Sequence, residues 1–260
     1  MRTLAVLNQK GGVAKTTTAV TLGHGLALRG YRVVVIDLDA QGNVADALGL
    51  EKQPGLYDWL VRGELSVEYS GRPGLYVVLG DKRTVEAKLI LTGKPFRELV
   101  LLNGLKGLDY DAAILDVAPG VDLLQVAALV AATHFLIPGA LDQWSVVGAR
   151  DAMESAAALR AAGALNGQFL GVLPTFWERT TNEGRQQLEF LAQQFGRLVW
   201  EPIPLDVKAR EAAAHGQTLW EYAPDCRALQ GVVLNGGQAQ DRRGGGYVHA
   251  VERLIVEVGL

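Results

Sequence analysis

Residues 8–18 read Asn-Gln-Lys-Gly-Gly-Val-Ala-Lys-Thr-Thr-Thr, and this stretch decides the fold. It directly follows an apolar run that predicts a strand, Thr3–Asn8, and it opens a pattern that predicts a helix, Lys15–Arg29. Glycines in such a loop let backbone N–H groups converge on phosphate oxygens, and a helix N-terminus favours an anion. The Lys-Thr pair adds a cation for the phosphates and a hydroxyl for Mg²⁺. The segment therefore predicts a phosphate-binding loop rather than a glycine-rich turn without a ligand.

The rest of the chain alternates short apolar runs with longer helical patterns. The further predicted strands are Arg32–Asp37, Leu75–Leu79, Asp111–Asp116, His134–Pro138, Phe169–Leu173 and Leu198–Ile203. The further predicted helices are Pro95–Leu108, Leu123–Ala132, Ser145–Ala162, Thr181–Gln194, Val207–His215 and Tyr247–Val258. Nearly continuous apolar runs are expected of parallel strands that are covered on both faces. This βαβ rhythm predicts an α/β fold with a single doubly wound, mostly parallel sheet and helices on both faces.

No internal repeat or linker divides the sequence, so we expect one domain over residues 1–260. The low-complexity piece Asn235–Gly246, NGGQAQDRRGGG, is expected to be a flexible surface insert. Its Arg242–Arg243 pair could touch a polyanion, although a solvated loop is the simpler interpretation of this composition.

Composition excludes several classes of protein. Of the 260 residues, 49% are hydrophobic and 20% charged, and the net charge of −3 argues against a disordered chain or a globally basic nucleic-acid binder. The lone Cys226 excludes an intrachain disulfide and a cysteine-based metal centre within one chain. With no apparent secretory signal, this favours a cytoplasmic location. The most apolar stretch, Val121–Pro138, is interrupted by Asp122, Gln125 and His134, so no membrane span is expected.

The stretch KGGVAKTTT, residues 10–18, resembles the deviant Walker A motif of the ParA/MinD group of P-loop ATPases. The usual motif has glycine where Ala14 stands, and alanine costs about 1 kcal/mol if that position requires a positive φ. The resemblance implies that Lys10 reaches across an ATP-sandwich dimer to the partner's phosphates, while Lys15 faces the β- and γ-phosphates of its own nucleotide. The nucleotide-binding residues that it implies in this loop are Lys10, Gly11, Gly12, Val13, Ala14, Lys15, Thr16 and Thr17.

A second segment, Val33–Asn43, resembles the switch I region of the same group, with Ala40 in place of the usual proline. Carboxylates at the C-terminal end of a parallel strand lie where ligands bind in open α/β sheets. The resemblance implies that Asp39 orients the attacking water and that Asp37 supports the Mg²⁺ and lysine network. The catalytic set is then Lys10, Lys15 and Asp39.

A third segment, Ala112–Gly120, occupies the position of a Walker B strand. A carboxylate at the end of that strand holds Mg²⁺ through water. The metal set implied by the resemblance is Thr16, Asp37 and Asp116.

Two C-terminal segments, 171–180 and 202–216, resemble ParA-type (Soj-like) partition proteins in particular. The first ends a strand near the adenine in that family, and the second carries its "IP…V…EA…G" element. They add Pro174, Thr175, Pro204 and Asp206 to the nucleotide site by resemblance. They also imply Arg179, Lys208 and Arg210 as DNA-binding residues.

The resemblance implies an ATP-dependent DNA partition ATPase that uses ATP and Mg²⁺. Such a protein forms an ATP-dependent homodimer, binds double-stranded DNA non-specifically, and is released when a ParB-type centromere-binding partner stimulates hydrolysis. We expect a cytoplasmic, nucleoid-associated protein with no membrane partner.

Three alternatives remain open. A MinD-type membrane-cycling ATPase would need a basic amphipathic tail, whereas the last predicted helix carries Glu252, Arg253 and Glu257 on its polar face. A metabolic P-loop ligase would use the same loop together with a small-molecule pocket. A nucleotide-binding scaffold without turnover is the non-enzyme alternative.

Overall fold

The computed structural model describes residues 1–141, 143–163, 167–178, 181–234 and 242–260, with side chains left out at 143–149, 233–234 and 242–243. Within these residues, seven strands form one sheet in the order β3-β4-β2-β5-β1-β6-β7. The strands are β1 Arg2–Val6, β2 Val33–Asp37, β3 Glu68–Arg72, β4 Leu75–Val78, β5 Ala112–Asp116, β6 His134–Ala140 and β7 Gln168–Thr175. Neighbouring strands are parallel, apart from the antiparallel edge pair of β3 and β4. The predicted doubly wound, mostly parallel sheet is confirmed.

Helices cover both faces of the sheet. They are α1 Lys15–Ala27, α2 Asn43–Leu48, α3 Gly55–Tyr57, α4 Thr84–Thr92, α5 Val100–Leu105, α6 Leu123–Ala131, α7 Gln143–Ala161, α8 Asn182–Phe195, α9 Lys208–Ala214, α10 Leu219–Tyr222, α11 Arg227–Gln230 and α12 Gly246–Val258. A π-helical turn, Asp58–Arg62, continues α3, and 3₁₀ turns occupy Arg97–Leu99 and Gly196–Leu198. Among the described helices, none has the length and apolar character needed to cross a bilayer.

Successive residues of a strand face opposite sides of the sheet, so the core consists of two layers. In β2, Val33 and Val35 face a cluster that includes α1 and α12, whereas Val34 and Ile36 face a cluster that includes α5 and α6. All five residues of β2 are buried, because each face of the strand is covered by helices. The continuous apolar run therefore reflects two apolar faces, as expected for a parallel strand at the centre of such a sheet.

The predicted strand Leu198–Ile203 is wrong as a strand. Leu198 ends a 3₁₀ turn, and the following residues join β7 only by the single bridge between Val172 and Val199. Backbone bonds from Trp200 N to Val172 O and from Ile203 N to Pro174 O, both 2.8 Å, hold the segment beside β7. Pro202 has no N–H to donate, so a regular ladder cannot continue through it.

The sequence predicts a flexible surface insert at Asn235–Gly246. This prediction is wrong for residues 242–246, which are ordered against the rest of the fold. Residues 235–241 lie outside the described residues. Arg242–Gly244 forms strand β9, which pairs antiparallel with β8, Val232–Leu234. Gly245 and Gly246 are buried with φ 78°, and a Cβ on either would overlap backbone atoms of Pro202 or Gly231. These glycines permit close packing of the backbone. A glycine-rich sequence is expected both for such packing and for a flexible loop, so composition alone does not tell the two apart.

Candidate functional site

The loop between β1 and α1 is fastened to the ends of two other strands. The buried Asn8 side chain donates from Nδ2 to Pro138 O in β6 at 2.8 Å, and its Oδ1 accepts from Lys10 N at 2.9 Å. The hydroxyl of Thr175, at the end of β7, donates to Val13 O at 3.3 Å. The loop is thus held in place from both ends by residues more than 100 positions away in the chain.

Two residues of the loop have a left-handed backbone. Gly12 has φ 72°, and Ala14, the N-cap of α1, has φ 65° and ψ 31°. A Cβ placed on Gly11 or Gly12 would meet nothing within 4 Å, so the space above the loop is open. The first N–H groups of α1 point out of the helix without an acceptor in it, which is the arrangement that binds phosphate.

Lys15 lies beneath this loop, 7% exposed, with its Nζ 2.8 Å from Lys10 O. Burial lowers the pKa of Lys15, while the charges of Asp116 and Asp39 oppose that shift. A buried ammonium is stabilised by an incoming phosphate, so the burial of Lys15 in this loop is consistent with the role predicted for it.

Asp37 and Asp116 are register partners at the C-terminal ends of β2 and β5. The two oxygens of Asp37 accept backbone N–H bonds from Asp39 at 3.0 Å and Val44 at 3.1 Å. Burial and the charge of Asp116 raise the pKa of Asp37 well above its ordinary value. Asp37 therefore fixes the backbone at the start of α2. Its predicted role as a metal ligand stays a prediction.

Asp116 is completely buried, and neither of its oxygens accepts a hydrogen bond of standard geometry. Burial raises the pKa of Asp116 to about 7, although the Thr16 hydroxyl and the Lys15 ammonium lower it. An unsatisfied buried carboxylate beside a hydroxyl fits a hard cation such as Mg²⁺. No described cluster of three or more His, Cys, Asp or Glu would hold a metal by itself. Thr16, water and phosphate oxygens would have to complete the coordination.

A cavity of about 600 Å³ lies between the phosphate loop and α9. Its lining includes the predicted Gly11, Gly12, Ala14, Lys15, Thr16, Thr17, Asp39, Thr175, Pro204, Asp206 and Arg210. Asp39 is half-buried at its edge, and its Oδ1 accepts from Gln41 N. The structure therefore brings together most of the predicted nucleotide residues, whereas the side chains of Lys10, Val13 and Pro174 do not line this space.

The predicted DNA-binding residues lie in different surroundings. Arg210, in α9, is exposed to solvent and also borders the cavity. Lys208 is half-exposed and forms an ion pair with Glu211 at 2.8 Å. Arg179 lies outside the described residues.

Sequence reasoning missed two aromatic residues of the cavity. The hydroxyl of Tyr247, in α12, forms a 2.9 Å hydrogen bond with the Thr18 hydroxyl in α1, and both groups are buried. Phe176, directly after β7, lines the cavity with a positive φ of 57°. Tyr247 gives no local signal because its partner is 229 positions away, and no pattern marks a phenylalanine with a left-handed backbone.

Comparison with known proteins gives consistent matches. A protein-family model described as an AAA domain matches residues 1–168. The chromosome-partitioning ATPase Soj of Thermus thermophilus is 32% identical over 225 residues, which cover 86% of this chain and 89% of that protein. The sporulation initiation inhibitor protein Soj of Bacillus subtilis is 31% identical over 87% of this chain and 93% of that protein.

Solved structures share the fold over most of the chain. A variant of Cyanothece McdA in complex with ATP aligns with a TM-score of 0.80 at 26% identity, covering 86% of this chain and 92% of that one. Cobyrinic acid a,c-diamide synthase from Mycobacterium smegmatis, with bound ADP and magnesium, aligns with a TM-score of 0.73 at 27% identity. That alignment covers 83% of this chain and 91% of the synthase.

Proposed function

The chain belongs to the ParA/Soj family of partition ATPases, and on that basis we propose that ATP switches its association with itself and with DNA. One observation carries the proposal. The phosphate loop and the buried Lys15 line one end of a cavity of about 600 Å³, and the unsatisfied Asp116 lies next to Lys15 and Thr16 of that lining. This arrangement suits a nucleoside triphosphate with its metal ion.

We assign the roles within one chain as follows. Lys15 neutralises the β- and γ-phosphates, and the N–H groups of residues 11–17 donate to their oxygens. Thr16 would hold Mg²⁺, with Asp116 and Asp37 behind it, and the ion would spread the negative charge that develops on the phosphates. Asp39, at the edge of the cavity, orients the attacking water.

Lys10 acts on the nucleotide of a second copy in this proposal. The side chain of Lys10 does not line the cavity of its own chain, while its carbonyl holds Lys15. A cation in this position can reach a phosphate group across a two-fold interface, which would make dimerisation depend on ATP.

DNA contact requires a local basic surface, because the whole chain carries a net charge of −3. We propose Arg179, Lys208 and Arg210 for that contact. The ion pair between Lys208 and Glu211 is exposed to solvent, so it contributes little to stability and Lys208 can exchange Glu211 for a DNA phosphate. Base sequence should matter little to contacts of this kind.

The remaining parts of the proposal come from the family. Residues 1–260 act as one domain in the cytoplasm at the nucleoid, and a ParB-type centromere-binding partner stimulates hydrolysis. Loss of the γ-phosphate then releases both the interface and the DNA.

The test is the binding of ATP-loaded protein to unrelated duplexes across a salt series. Each phosphate contact should add about 0.9 to the log–log salt slope. The variant Arg179→Glu with Lys208→Glu should bind every duplex more weakly and bind ATP normally, whereas the matched control Lys94→Glu, an exposed lysine away from the cavity, should resemble wild type. DNA binding that ignores both ATP and salt would refute the mechanism.

A P-loop ligase is the second candidate. The likeness to cobyrinic acid a,c-diamide synthase at a TM-score of 0.73 favours it, because that enzyme shares this fold at similar identity. A ligase would hydrolyse ATP only with a carboxylic acid and a nitrogen donor. Turnover that rises with DNA and a ParB-type protein, but not with such substrates, would exclude it.

A further inference from the structure

Arg72, the last residue of the edge strand β3, is buried without lining the nucleotide cavity. Its Nε donates to both carboxylate oxygens of Glu221 at 2.9 Å, and its Nη2 lies 2.8 Å from Glu221 Oε2. A buried guanidinium needs such a partner, because removing its charge from water is otherwise unfavourable. The ion pair explains how an arginine can be buried here, but it leaves other donors of the group to be accounted for.

The remaining N–H groups of Arg72 donate to backbone carbonyls at the ends of two helices. Its Nη1 donates at 3.0 Å to the carbonyl of Leu48, the last residue of α2. Its Nη2 donates at 3.0 Å to the carbonyl of Gly216, which follows the end of α9. A guanidinium is planar and holds its donors in fixed directions. These two bonds therefore set the ends of α2 and α9 in a fixed relation to each other.

The same two helix ends touch through a pair of glycines. Gly49 ends α2 with φ 69°, and Gly216 has φ 64°. A Cβ on Gly216 would lie 2.5 Å from Gly49 Cα, and a Cβ on Gly49 would lie 3.0 Å from Gly216 O. The two backbones are thus in direct contact, which only glycine permits. A side chain at position 216 would push the ends of α2 and α9 apart.

Both helices are walls of the nucleotide cavity. The lining residues are Asn43, Asp46 and Ala47 from α2 and Ala209, Arg210 and Ala213 from α9. Only residues 40–42 separate Asp39 from α2, and a backbone bond from Gly42 N to Asp39 O at 3.2 Å closes this turn. A shift of α2 is therefore passed to Asp39. The phosphate loop is held separately, by its bonds to β6 and β7.

We infer that Arg72 is a positioning residue for the nucleotide site, which fastens α2 to α9 and thereby holds Asp39 in place at the cavity. This role rests on the proposed function, in which Asp39 orients the attacking water. A small displacement of an orienting group lowers the rate of the chemical step far more than it lowers the affinity for the substrate. Arg72 should therefore act on turnover and leave ATP binding, which depends on the phosphate loop, nearly unchanged.

Two pairs of variants separate positioning from stability. Arg72→Lys keeps a charge for Glu221, but its single nitrogen cannot occupy the positions of both Nη1 and Nη2. Glu221→Gln is the matched control, because it removes the ion pair and leaves Arg72 able to donate to both helix ends.

Gly216→Ala and Gly63→Ala form the second pair. Gly216→Ala drives a Cβ against Gly49 while Arg72 stays intact. Gly63 has a similar φ of 78°, and a Cβ on it would meet nothing within 4 Å, so Gly63→Ala introduces the backbone strain without the contact.

The experiment measures Mg-ATP affinity by titration calorimetry, phosphate release at saturating ATP, and the urea midpoint for wild type and these four variants. Phosphate release is measured where the urea curves show every variant folded. Arg72→Lys and Gly216→Ala should lose about ten-fold in turnover, with ATP affinity within about two-fold of wild type. Glu221→Gln and Gly63→Ala should lower the urea midpoint and turn over ATP as wild type does.

The outcomes separate the role of Arg72 from the proposed function. Wild-type turnover in Arg72→Lys would overturn the positioning role alone. A loss of turnover in Glu221→Gln or Gly63→Ala as large as in the paired variant would also overturn it, because the effect would then follow stability. A matching loss of ATP affinity in Arg72→Lys would do the same, because the effect would then lie in binding. Absence of ATP turnover by the wild-type protein, or normal turnover by Asp39→Ala, would refute the proposed role of Asp39 and the role of Arg72 with it.

Discussion

The backbone conformation of the phosphate loop can be tested at a single residue, Ala14. It caps α1 with φ 65°, a conformation that glycine adopts freely and alanine does not. The left-handed region costs an L-residue about 1–2 kcal/mol, partly offset because glycine loses more entropy on folding. We expect Ala14→Gly to raise the free energy of unfolding by up to about 1 kcal/mol, as measured by urea unfolding without nucleotide.

Ala19 provides the control for this prediction. It lies in the buried interior of α1, where glycine should lower the free energy of unfolding by about 1 kcal/mol or more. If Ala14→Gly destabilised the protein as much as Ala19→Gly does, the left-handed conformation at position 14 would be wrong.

The two aspartates that follow β2 should differ sharply in their variants. Asp39 is half-buried at the edge of the cavity, so Asp39→Ala should keep the fold and ATP binding and lose most turnover. Asp37 is fully buried and accepts two backbone hydrogen bonds, so Asp37→Ala should destabilise the protein by about 1–3 kcal/mol. Calorimetry, phosphate release and urea unfolding measure these effects. Normal ATP hydrolysis by Asp39→Ala would contradict the proposal that Asp39 orients the attacking water.

Lys15→Ala should abolish ATP binding, because it removes the buried cation next to Asp116 that we propose neutralises the phosphates. Lys106→Ala, at an exposed lysine away from the cavity, is the control and should bind ATP normally. Retained ATP affinity in Lys15→Ala, measured by titration calorimetry, would contradict the placement of the phosphates.

For single residues, the local sequence pattern indicates the phosphate loop but not the distant residues that hold the loop in place. Residues 10–17 form one continuous motif, and Gly11, Gly12 and Lys15 of this motif line the cavity. The bonds that hold the loop run from Asn8 to Pro138 and from Thr175 to Val13, which are 130 and 162 positions apart. Only the folded chain brings those partners together.

The same contrast holds for whole elements. Buried parallel strands such as β2 can be predicted from sequence, because helices cover both faces of the strand and nearly every residue in it is apolar. The edge strand β3, EYSGR, has no such run, and α2 has only six residues. In α4, Leu89 is exposed while Leu91 is buried, so apolar residues on both sides obscure the helical period.

A polar network joins α1, α10 and β3 through the buried His24, Thr218 and Arg72 and the exposed Glu221. His24 Nδ1 lies 2.7 Å from the Thr218 hydroxyl, and Arg72 forms an ion pair with Glu221 at 2.8 Å nearby. Arg72 also donates to Leu48 O at the end of α2 and to Gly216 O after α9. The network thus links the segment that follows Asp39 with the helix that lines the cavity.

This network makes stability depend on pH. Burial lowers the pKa of His24, and the charge of Arg72 lowers it further against the opposing effect of Glu221. Below about pH 6.5 the unfolded chain protonates this imidazole more readily than the folded one, so the contribution of His24 to the free energy of unfolding should fall as the pH falls. Asp37 and Asp116, whose pKa values are raised by burial, contribute with the opposite sign, and they do so alike in wild type and in the histidine variants.

His24→Gln should reduce this loss, as measured by urea midpoints between pH 7.5 and 5.5. Burial also lowers the pKa of His134, so its own contribution should remain in His24→Gln. In the double variant His24→Gln with His134→Gln, the change in urea midpoint from pH 7.5 to 5.5 should shift further toward stabilisation than in either wild type or His24→Gln. A slope equal to that of wild type in the double variant would contradict the burial of these rings.

On the scale of the whole molecule, the phosphate loop, Asp39 and Asp116 share one edge of the sheet, and Lys10 belongs to the same loop. A second copy that presents Lys10 to this edge would close the cavity over ATP. We therefore predict that the nucleotide, and not protein concentration alone, controls the number of chains in the assembly.

The most direct test is the light-scattering mass of Asp39→Ala with ATP, with ADP, and with ATP after adding Lys10→Ala. We predict twice the 27.9 kDa chain mass with ATP, a single-chain mass with ADP, and a return to a single-chain mass in the double variant. A mass that is the same with ATP and ADP, or a dimer that survives Lys10→Ala, would contradict the account.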